Sequence, residues 1–463
     1  MTKVEIQSLF DAGLKAWEEK NAHLCLQIAN KLHAIAPDDV LTHQIYASAA
    51  ILNNRPDIAL LRVNAALETT PANYYPLLLL KGEALRLSWR HDEAEVCIKE
   101  VVDNSKDSDA CVKLATIYRD KDNYEQAHVW MLEAYRRAPK SFRRYINLAF
   151  CALVTAQPST QVFRWHASRP RRVFCADICT PILTHSTQAL HLHVHHDMDL
   201  GLGDHLFYMR YLPLVKAAGH HISYTPHPKI ASLMHRVPYI DTFLPLDART
   251  DADLVLYETE LPLLLNAQQA TIIPDSLVLP PLEEELKQVQ ALLQTLGPPP
   301  YFAVTWTAGP IHQQYIRNGS ITLPRRIEPA VLGSALKGLP ATFLVLQRQP
   351  NTEDYAAFEQ ALGTKAHDLS AFNDDLESMF ALLSLVEEYI GVSNTNSHLR
   401  NLVPKHARVL LNRPTQDWAY LAHGKTSPWH KEALLYRQAF AGDWQEAMAT
   451  LSTDLIAQYF KTP

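Results

Sequence analysis

Four small residues in the first third of the chain, Gly13, Ala47, Gly82 and Ala115, follow one another at intervals of 34, 35 and 33. Twelve positions after each comes another small residue: Cys25, Ala59, Ala94 and Ala127. Twenty-four after, Pro37, Pro71 and Pro139 close three of the four units, with Lys106 in the remaining slot. A period of about 34 residues corresponds to one supersecondary unit, two helices and their turns. Small residues let paired helices approach, and proline stops the second helix because its ring cannot continue the turn. Such a unit cannot cover its own apolar face, so neighbours must stack into an array. No other feature of the chain narrows its fold so far.

This pattern resembles the tetratricopeptide repeat over roughly residues 4 to 139. The fourth unit carries it best, with Ala115, Tyr118, Ala127, Ala134 and Pro139 all in register. Residues 141–155 (SFRRYINLAFCALVT) read as one more amphipathic helix, a cap on the solenoid. The resemblance implies a concave groove that binds a peptide or partner; a packing or dimerisation module is the alternative. The arginines and lysine that follow (Arg136, Arg137, Lys140, Arg143, Arg144, Arg164, Arg169, Arg171, Arg172) read as a solvated connector.

At 463 residues the chain exceeds one ordinary core, and two or three domains are expected. A hydrophobic content of 47% with 20% charged residues describes a globular protein with much to bury. Its net charge of −6 argues against nucleic-acid partners. No apolar run is long enough to span a bilayer, and the opening MTKVEIQSLFDAG lacks a signal-peptide core, so a cytoplasmic protein is expected. Cys25, Cys97, Cys111, Cys151, Cys175 and Cys179 show no zinc-type pairing and read as reduced thiols.

Beyond Arg172 the pattern changes to strands alternating with helices. Residues 189–194 alternate with a period of two, and Leu206 to Val215 run with helical spacing. Between them lies Asp199-Leu-Gly-Leu-Gly-Asp204, a glycine turn ending on an acid read as a helix N-cap. Strands follow at 221–225, 242–246 and 252–257, with helices at 229–236 and 283–296. Gly297-Pro-Pro-Pro300 looks like a stiff linker, and a second series of strands begins at Tyr301, Ala341, Val386 and Ala407. The expectation is an α-solenoid over 1–156, a first α/β lobe over 157–297, and a second lobe with a C-terminal helix over 298–463. Two such parallel-sheet lobes place a ligand in the cleft between them.

Residues 186 to 455 resemble glycosyltransferases of GT-B fold fused to tetratricopeptide repeats, relatives of bacterial lipopolysaccharide heptosyltransferases. The signatures occur in the family's order. They are Gly201-Leu-Gly-Asp204 with Phe207, Arg210, Tyr211 and Pro213; Thr305-Trp306 to Gly309 with Arg317 and Ser320 to Leu323; and Val345-Leu-Gln347 with Asp368 to Asp374. Gly391 to Leu399 follows, then Asp417-Trp418, Ser427-Pro-Trp429 and Gly442-Asp-Trp444. A more distant similarity is to the O-GlcNAc transferases that modify proteins. The resemblance implies a bacterial, metal-independent, inverting sugar transfer from a nucleotide-diphosphate donor to a protein, peptide or glycan acceptor selected by the repeats. It implies no cofactor and no bound metal.

In that family the aspartate of the glycine loop is the base, which assigns Asp204, with Asp199, Asp197 and His196 as reserves beside Gly201 and Gly203. Thr395 and His398 would meet the diphosphate at a helix start, where backbone N–H groups favour negative charge. Arg317 would supply the cation for the leaving phosphate. Gln347 stands where a base or ribose contact is made, and Trp306 either stacks on the ligand or packs the lobe. Asn394 occupies the place of the family's aspartate and brings no charge. A degenerate transferase retained as a repeat scaffold is therefore the alternative. His191, His193 and His195 alternate on one strand face and read as a polar face, not a metal site.

Overall fold

The computed structural model describes residues 3–71, 73–139, 142–159, 161–163, 189–198, 200–265, 268–308, 315–317, 320–322, 325–413, 417–439 and 442–460. The chain forms two compact units, Met1–Cys151 with Gln313–Leu323, and Ala152–His312 with Pro324–Pro463.

The first unit is a succession of helices: α1 (Lys3–Glu18), α2 (Ala22–Ile35), α3 (Val40–Leu52), α4 (Pro56–Leu67), α5 (Tyr75–Leu87), α6 (His91–Asn104), α7 (Ser108–Asp120), α8 (Tyr124–Arg137) and α9 (Phe142–Leu153). The small residues sit where helices touch. A Cβ on Gly13 would lie 2.8 Å from Cγ2 of Ile45, and one on Gly82 only 2.3 Å from Cδ1 of Ile98. Each hairpin turns through a non-glycine residue of positive φ: Lys20, Asn54, Trp89 and Asp122. The N–H of the next residue then reaches back five positions, Asn21 to Ala16, Arg55 to Ala50, Arg90 to Leu85 and Asn123 to Tyr118, at 2.8–3.0 Å. This left-handed C-terminal turn satisfies carbonyls that the helix end would orphan. It recurs at Ala156 (φ 56°), 34 residues after Asp122, with Gln157 N donating to Ala152 O at 2.9 Å. The helix expected to be a cap is therefore followed by the same turn as the first helix of each preceding repeat.

Between α5 and α7 the array buries charge. Arg86 pairs with Glu83 at 2.8 Å and Asp120 at 2.6 Å, and Lys113 reaches Glu83 at 3.4 Å. Cys25, Cys97, Cys111 and Cys151 are buried and form no disulfide among the described residues. Burial pushes Cys25 and Cys97 up to about 11 and Cys151 to about 12, the direction of inert thiols. Cys175 and Cys179 lie outside the described residues, as do Lys140, Arg164, Arg169, Arg171 and Arg172 of the basic stretch.

The second unit holds two parallel sheets. The first has strands β1 (His191–His195), β2 (His221–Thr225), β3 (Thr242–Phe243) and β4 (Leu254–Tyr257) in the order β3-β2-β1-β4. The second has β5 (Tyr301–Thr305), β6 (Thr342–Val345), β7 (His367–Asp368), β8 (Glu388–Val392), β9 (Ala407–Leu411) and β10 (Ala433–Arg437) in the order β7-β6-β5-β8-β9-β10. Strands β5, β8 and β9 are buried at every position. They therefore lack alternation and read in sequence as apolar runs, as strands covered on both faces do. The linker residue Gly297 takes φ +151°, and a Cβ there would meet Thr342 Oγ1 at 2.7 Å.

Two local expectations differ. The single helix read from Leu206 to Val215 is α10 (Leu202–Tyr208), a 3₁₀ turn Met209–Tyr211, and α11 (Leu212–Ala217). Pro213 sits in the first turn of α11, where its missing N–H costs nothing, but it could not have continued α10. The helix read at 229–236 is a 3₁₀ turn Pro228–Ile230 and a four-residue helix Ala231–Met234. The strand histidines are tied to β2. Ser223 Oγ lies 3.0 Å from both His191 Nε2 and His193 Nδ1, and Thr225 Oγ1 lies 3.3 Å from His193 Nε2. Burial, then neighbouring imidazoles, pushes His193 down to about 4. Among the described residues no group of three or more His, Cys, Asp or Glu is placed to hold a metal ion. No helix among them is long and apolar enough to cross a membrane.

Candidate functional site

In each of the two parallel sheets every strand runs the same way, so the loops that follow the strands gather at one edge. On the first lobe that edge begins where His196 N extends the ladder to Thr225 O at 3.1 Å. The His196 ring is buried, with Nδ1 at 3.2 Å from the same carbonyl and Nε2 at 3.1 Å from Met198 Sδ. Burial lowers its pKa, which favours the neutral ring. Asp199 lies outside the described residues.

The chain then enters α10 with Gly201 as N-cap, φ −76° and ψ 158°. Asp204 is consequently not the N-cap that the sequence suggested but the third helical residue. Its Oδ2 reaches back to accept from Gly201 N at 3.1 Å. That is the N3 half of a capping box, with glycine supplying no side chain for the other half. Since Gly201 has an ordinary extended φ, left-handed freedom does not explain the glycines. Gly203 answers to space: a Cβ there would fall 2.4 Å from Cδ2 and 2.7 Å from Cγ of His398.

His398 belongs to the second lobe. After β8 the chain passes Ser393 and Asn394 into α12 (Thr395–Arg400). Asn394 is the N-cap. Its Oδ1 accepts from Ser397 N at 3.2 Å and from Tyr389 OH at 2.7 Å, and its Nδ2 donates to Thr305 Oγ1 at 3.1 Å. The amide thus acts as acceptor and donor at once, a pairing a carboxylate could not reproduce. Thr395, the first helical residue, is half-buried beside it. His398 is buried with Nδ1 unpartnered among the described residues. Burial lowers its pKa; Asp417 and then Asp204 oppose that shift, and Arg210 and Arg325 reinforce it. One imidazole therefore stands among two acids and two cations drawn from both lobes.

Several of these groups were not singled out as site residues from sequence. Arg325 lies in the two-residue strand Arg325–Arg326, paired antiparallel with Thr307–Ala308. Its Nη1 is 3.4 Å from Ser393 Oγ, and its buried Nε has no partner among the described residues. Ser393 Oγ donates to Asp417 Oδ2 at 2.8 Å. His430, next to Trp429, is buried with its ring 5.3 Å from that of His398. Asp417 and Trp429 stood in the quoted C-terminal signature, but nothing in their spacing indicated where they would converge. Phe207 of α10 completes the meeting of the lobes, 5.0 Å from Trp418 and 5.7 Å from Trp429 between ring centroids.

The remaining residues lie elsewhere. Trp306 is fully buried in the second-lobe core, 5.5 Å from Phe358, and offers no exposed ring face. Gln347 holds the end of β5: its Oε1 accepts from Trp306 N and Thr307 N at 3.0 Å each. Arg317 closes the short strand Tyr315–Arg317, paired with Ser320–Thr322, and this segment groups with the helical unit. Its side chain lies outside the described part of the structure.

No protein-family model matches the chain, and no curated protein matches it. Solved structures do. A glycosyl transferase of family 9 from Veillonella parvula is 11% identical with a TM-score of 0.43, over 58% of this chain and 95% of its own. The E. coli ADP-heptose lps heptosyltransferase II is 11% identical with a TM-score of 0.41, over 58% and 99%. A thermophilic TPR protein of Thermus thermophilus is 19% identical with a TM-score of 0.30, over 32% and 81%.

Proposed function

We propose that this protein is a glycosyltransferase that moves a sugar from a nucleotide diphosphate to a protein, peptide or glycan acceptor, with inversion and without a metal. The observation that carries the reading is the seating of His398 on Gly203, which packs the helix start bearing Asp204 against the helix that begins at Asn394–Thr395. In the proposed step the acceptor oxygen attacks the anomeric carbon and its proton passes to Asp204. The bond to the diphosphate breaks, and the leaving oxygen keeps the electron pair. Charge develops on that oxygen, where cationic and N–H donors lower the barrier most. Arg325 is the arginine beside the turn, and Thr395 adds its hydroxyl and backbone donor. Burial of the meeting faces excludes water, which would otherwise compete as acceptor. In this reading the helical repeats select the acceptor and the protein acts in the cytoplasm.

One observation favours a second reading. Asn394 spends its amide on the cap, Tyr389 and Thr305, and supplies no charge to a ligand. A nucleotide-binding scaffold without turnover would keep such a residue. The test is a thermal-shift panel of nucleoside diphosphates and nucleotide sugars, followed by turnover of whichever binds. A ligand that binds only the native state raises the melting temperature by mass action. Asp204→Asn should leave that shift intact, since asparagine still accepts from Gly201 N, while lowering turnover about 10²- to 10⁴-fold. Binding without turnover in the wild type would select the scaffold. No shift with any nucleotide at millimolar concentration would remove both readings of the site.

A further inference from the structure

Behind the acid loop the first lobe buries one carboxylate completely. Glu258, the residue after β4, has no exposed surface. Three donors converge on it from three elements: the His205 ring in α10, the Tyr224 hydroxyl in β2, and the backbone N–H of Asp197 at 3.3 Å in the loop after β1. An ionised group removed from water persists only where donors replace its hydration. Burial and then Glu258 raise the Tyr224 hydroxyl well above its ordinary range, so that donor keeps its proton. An apolar side chain at 258 would fill the space without the desolvation cost.

What the network joins is specific. Asp197 starts the loop that ends at Gly201, and His205 follows Asp204 in the same helical turn. The His205 ring is wholly buried, Nδ1 on Glu258, and faces the rings of His196 and His227 at 6.1 and 5.4 Å. Its Nε2 has no partner among the described residues. The single carboxylate therefore grips both ends of the segment that presents Asp204, from the turn after β4, more than fifty residues further along the chain. We propose that Glu258 is a positioning residue for Asp204: through His205 and the Asp197 amide it fixes where the first turn of α10 stands against the second lobe. This rests on the reading of Asp204 as the base, but the geometric half can be measured without any activity.

The experiment uses the full chain and compares Glu258→Met with Tyr224→Phe. Methionine keeps roughly the volume but offers only a weak thioether acceptor, so all three donors lose the carboxylate. Phenylalanine removes only the β2 donor. Amide hydrogen exchange across residues 197–208 should accelerate at least tenfold in Glu258→Met while β5 and β8 keep wild-type rates. Any nucleoside diphosphate that binds the wild type should bind this variant within twofold. Turnover of the nucleotide sugar should fall about 100-fold, as a reacting group displaced by an ångström does, and Tyr224→Phe should retain most of it. Unchanged exchange at 197–208 overturns the proposal, whatever the turnover. So does equal loss of turnover in both variants, which would make Glu258 a general core group. Accelerated exchange with no nucleotide bound by the wild type would support the positioning and reject the transferase reading instead.

Discussion

Two buried arginines, Arg86 of the helical unit and Arg210 of the α/β unit, are held in opposite ways. In the helical array Arg86 is locked between Glu83 and Asp120, charge against charge. In the α/β unit Arg210 is equally buried but touches no carboxylate. Its donors go to the carbonyls of Phe207, Pro274 and Trp429 and to Ser276 Oγ, with Phe207 under the guanidinium at 3.9 Å. Arg400 is held likewise by the carbonyls of Val386, Glu387 and His406, together with that of Leu383. The electrostatic consequence has opposite sign. Burial alone would lower Arg86, but its two acids raise it, whereas burial prevails at Arg210 and at Arg400 and pushes each down to about 10. In the array the ion pairs join repeat to repeat; in the α/β unit carbonyl dipoles hold Arg210 and Arg400, while Arg408 there pairs with buried Glu388 at 3.0 Å.

Removing each cation should expose the difference. Arg86→Met leaves Glu83 and Asp120 buried without their cation and should cost about 3–5 kcal/mol. Arg210→Met orphans neutral carbonyls only and should cost about 1–3 kcal/mol. Denaturant titrations of both variants check this, and equal losses would mean that the carboxylates are irrelevant to the contrast. Acid should separate the units too. Burial favours the neutral form of Glu83, but Arg86 and Lys113 overcome it and hold its carboxyl well below the ordinary range. Its contribution is therefore complete above the ordinary pKa of about 4.3 and lost as the pH falls through the lower folded value. Melting followed from pH 6 to 3 should show the helical unit weakening progressively, an effect that Arg86→Met reduces by leaving Lys113 as the one cation on Glu83.

Within the α/β unit a smaller change probes the seat of His398. Gly203→Ala places a methyl 2.4 Å from the ring and forces it aside. Overpacking of this kind costs about 1–3 kcal/mol. Nucleotide affinity should fall along with melting temperature if the imidazole sets the site. A stability loss with unchanged nucleotide affinity would separate the seat from the ligand. The smallest effect is expected of Asn394→Asp, which keeps the cap but loses the donor to Thr305 and should cost about 1 kcal/mol. A stabilised Asp variant would mean that the Tyr389 and Thr305 hydroxyls prefer a charge.

What could be read from the sequence divides along the same line. The repeats were legible because each unit's signals act on neighbours some 34 residues away at most, and proline and small side chains state them directly. The alternation of strands and helices was legible for a related reason: β2 and β9 run over the residues their apolar patterns marked out. The acid loop was legible as a helix start but misplaced by three residues, since a glycine N-cap carries no side chain to announce itself. Trp306 was legible as a ring that packs the lobe or stacks on a ligand; the choice between them depends on Phe358 and the helix bearing it. Arg325 and Glu258 gave no local signal at all, and Asp417, though part of a quoted signature, gave none of where it would stand. Their partners stand 68, 53 and 24 residues away, and only the closed sheets bring them within bonding distance.

The left-handed residues Lys20, Asn54, Trp89, Asp122 and Ala156 give the array interchangeable joints. Cut between any two neighbours among them and the fragment carries one whole period, starting and finishing in the same backbone state. Excising 55–89, for instance, would splice Asn54 to Arg90, whose N–H makes the bond to Leu85 that Arg55 makes to Ala50. The seam would restore the torsions it replaced, so the length of the array can be changed in whole periods without redesigning a turn. Lengthened and shortened versions would then act as a ruler, reporting whether any activity of the α/β unit depends on the number of periods.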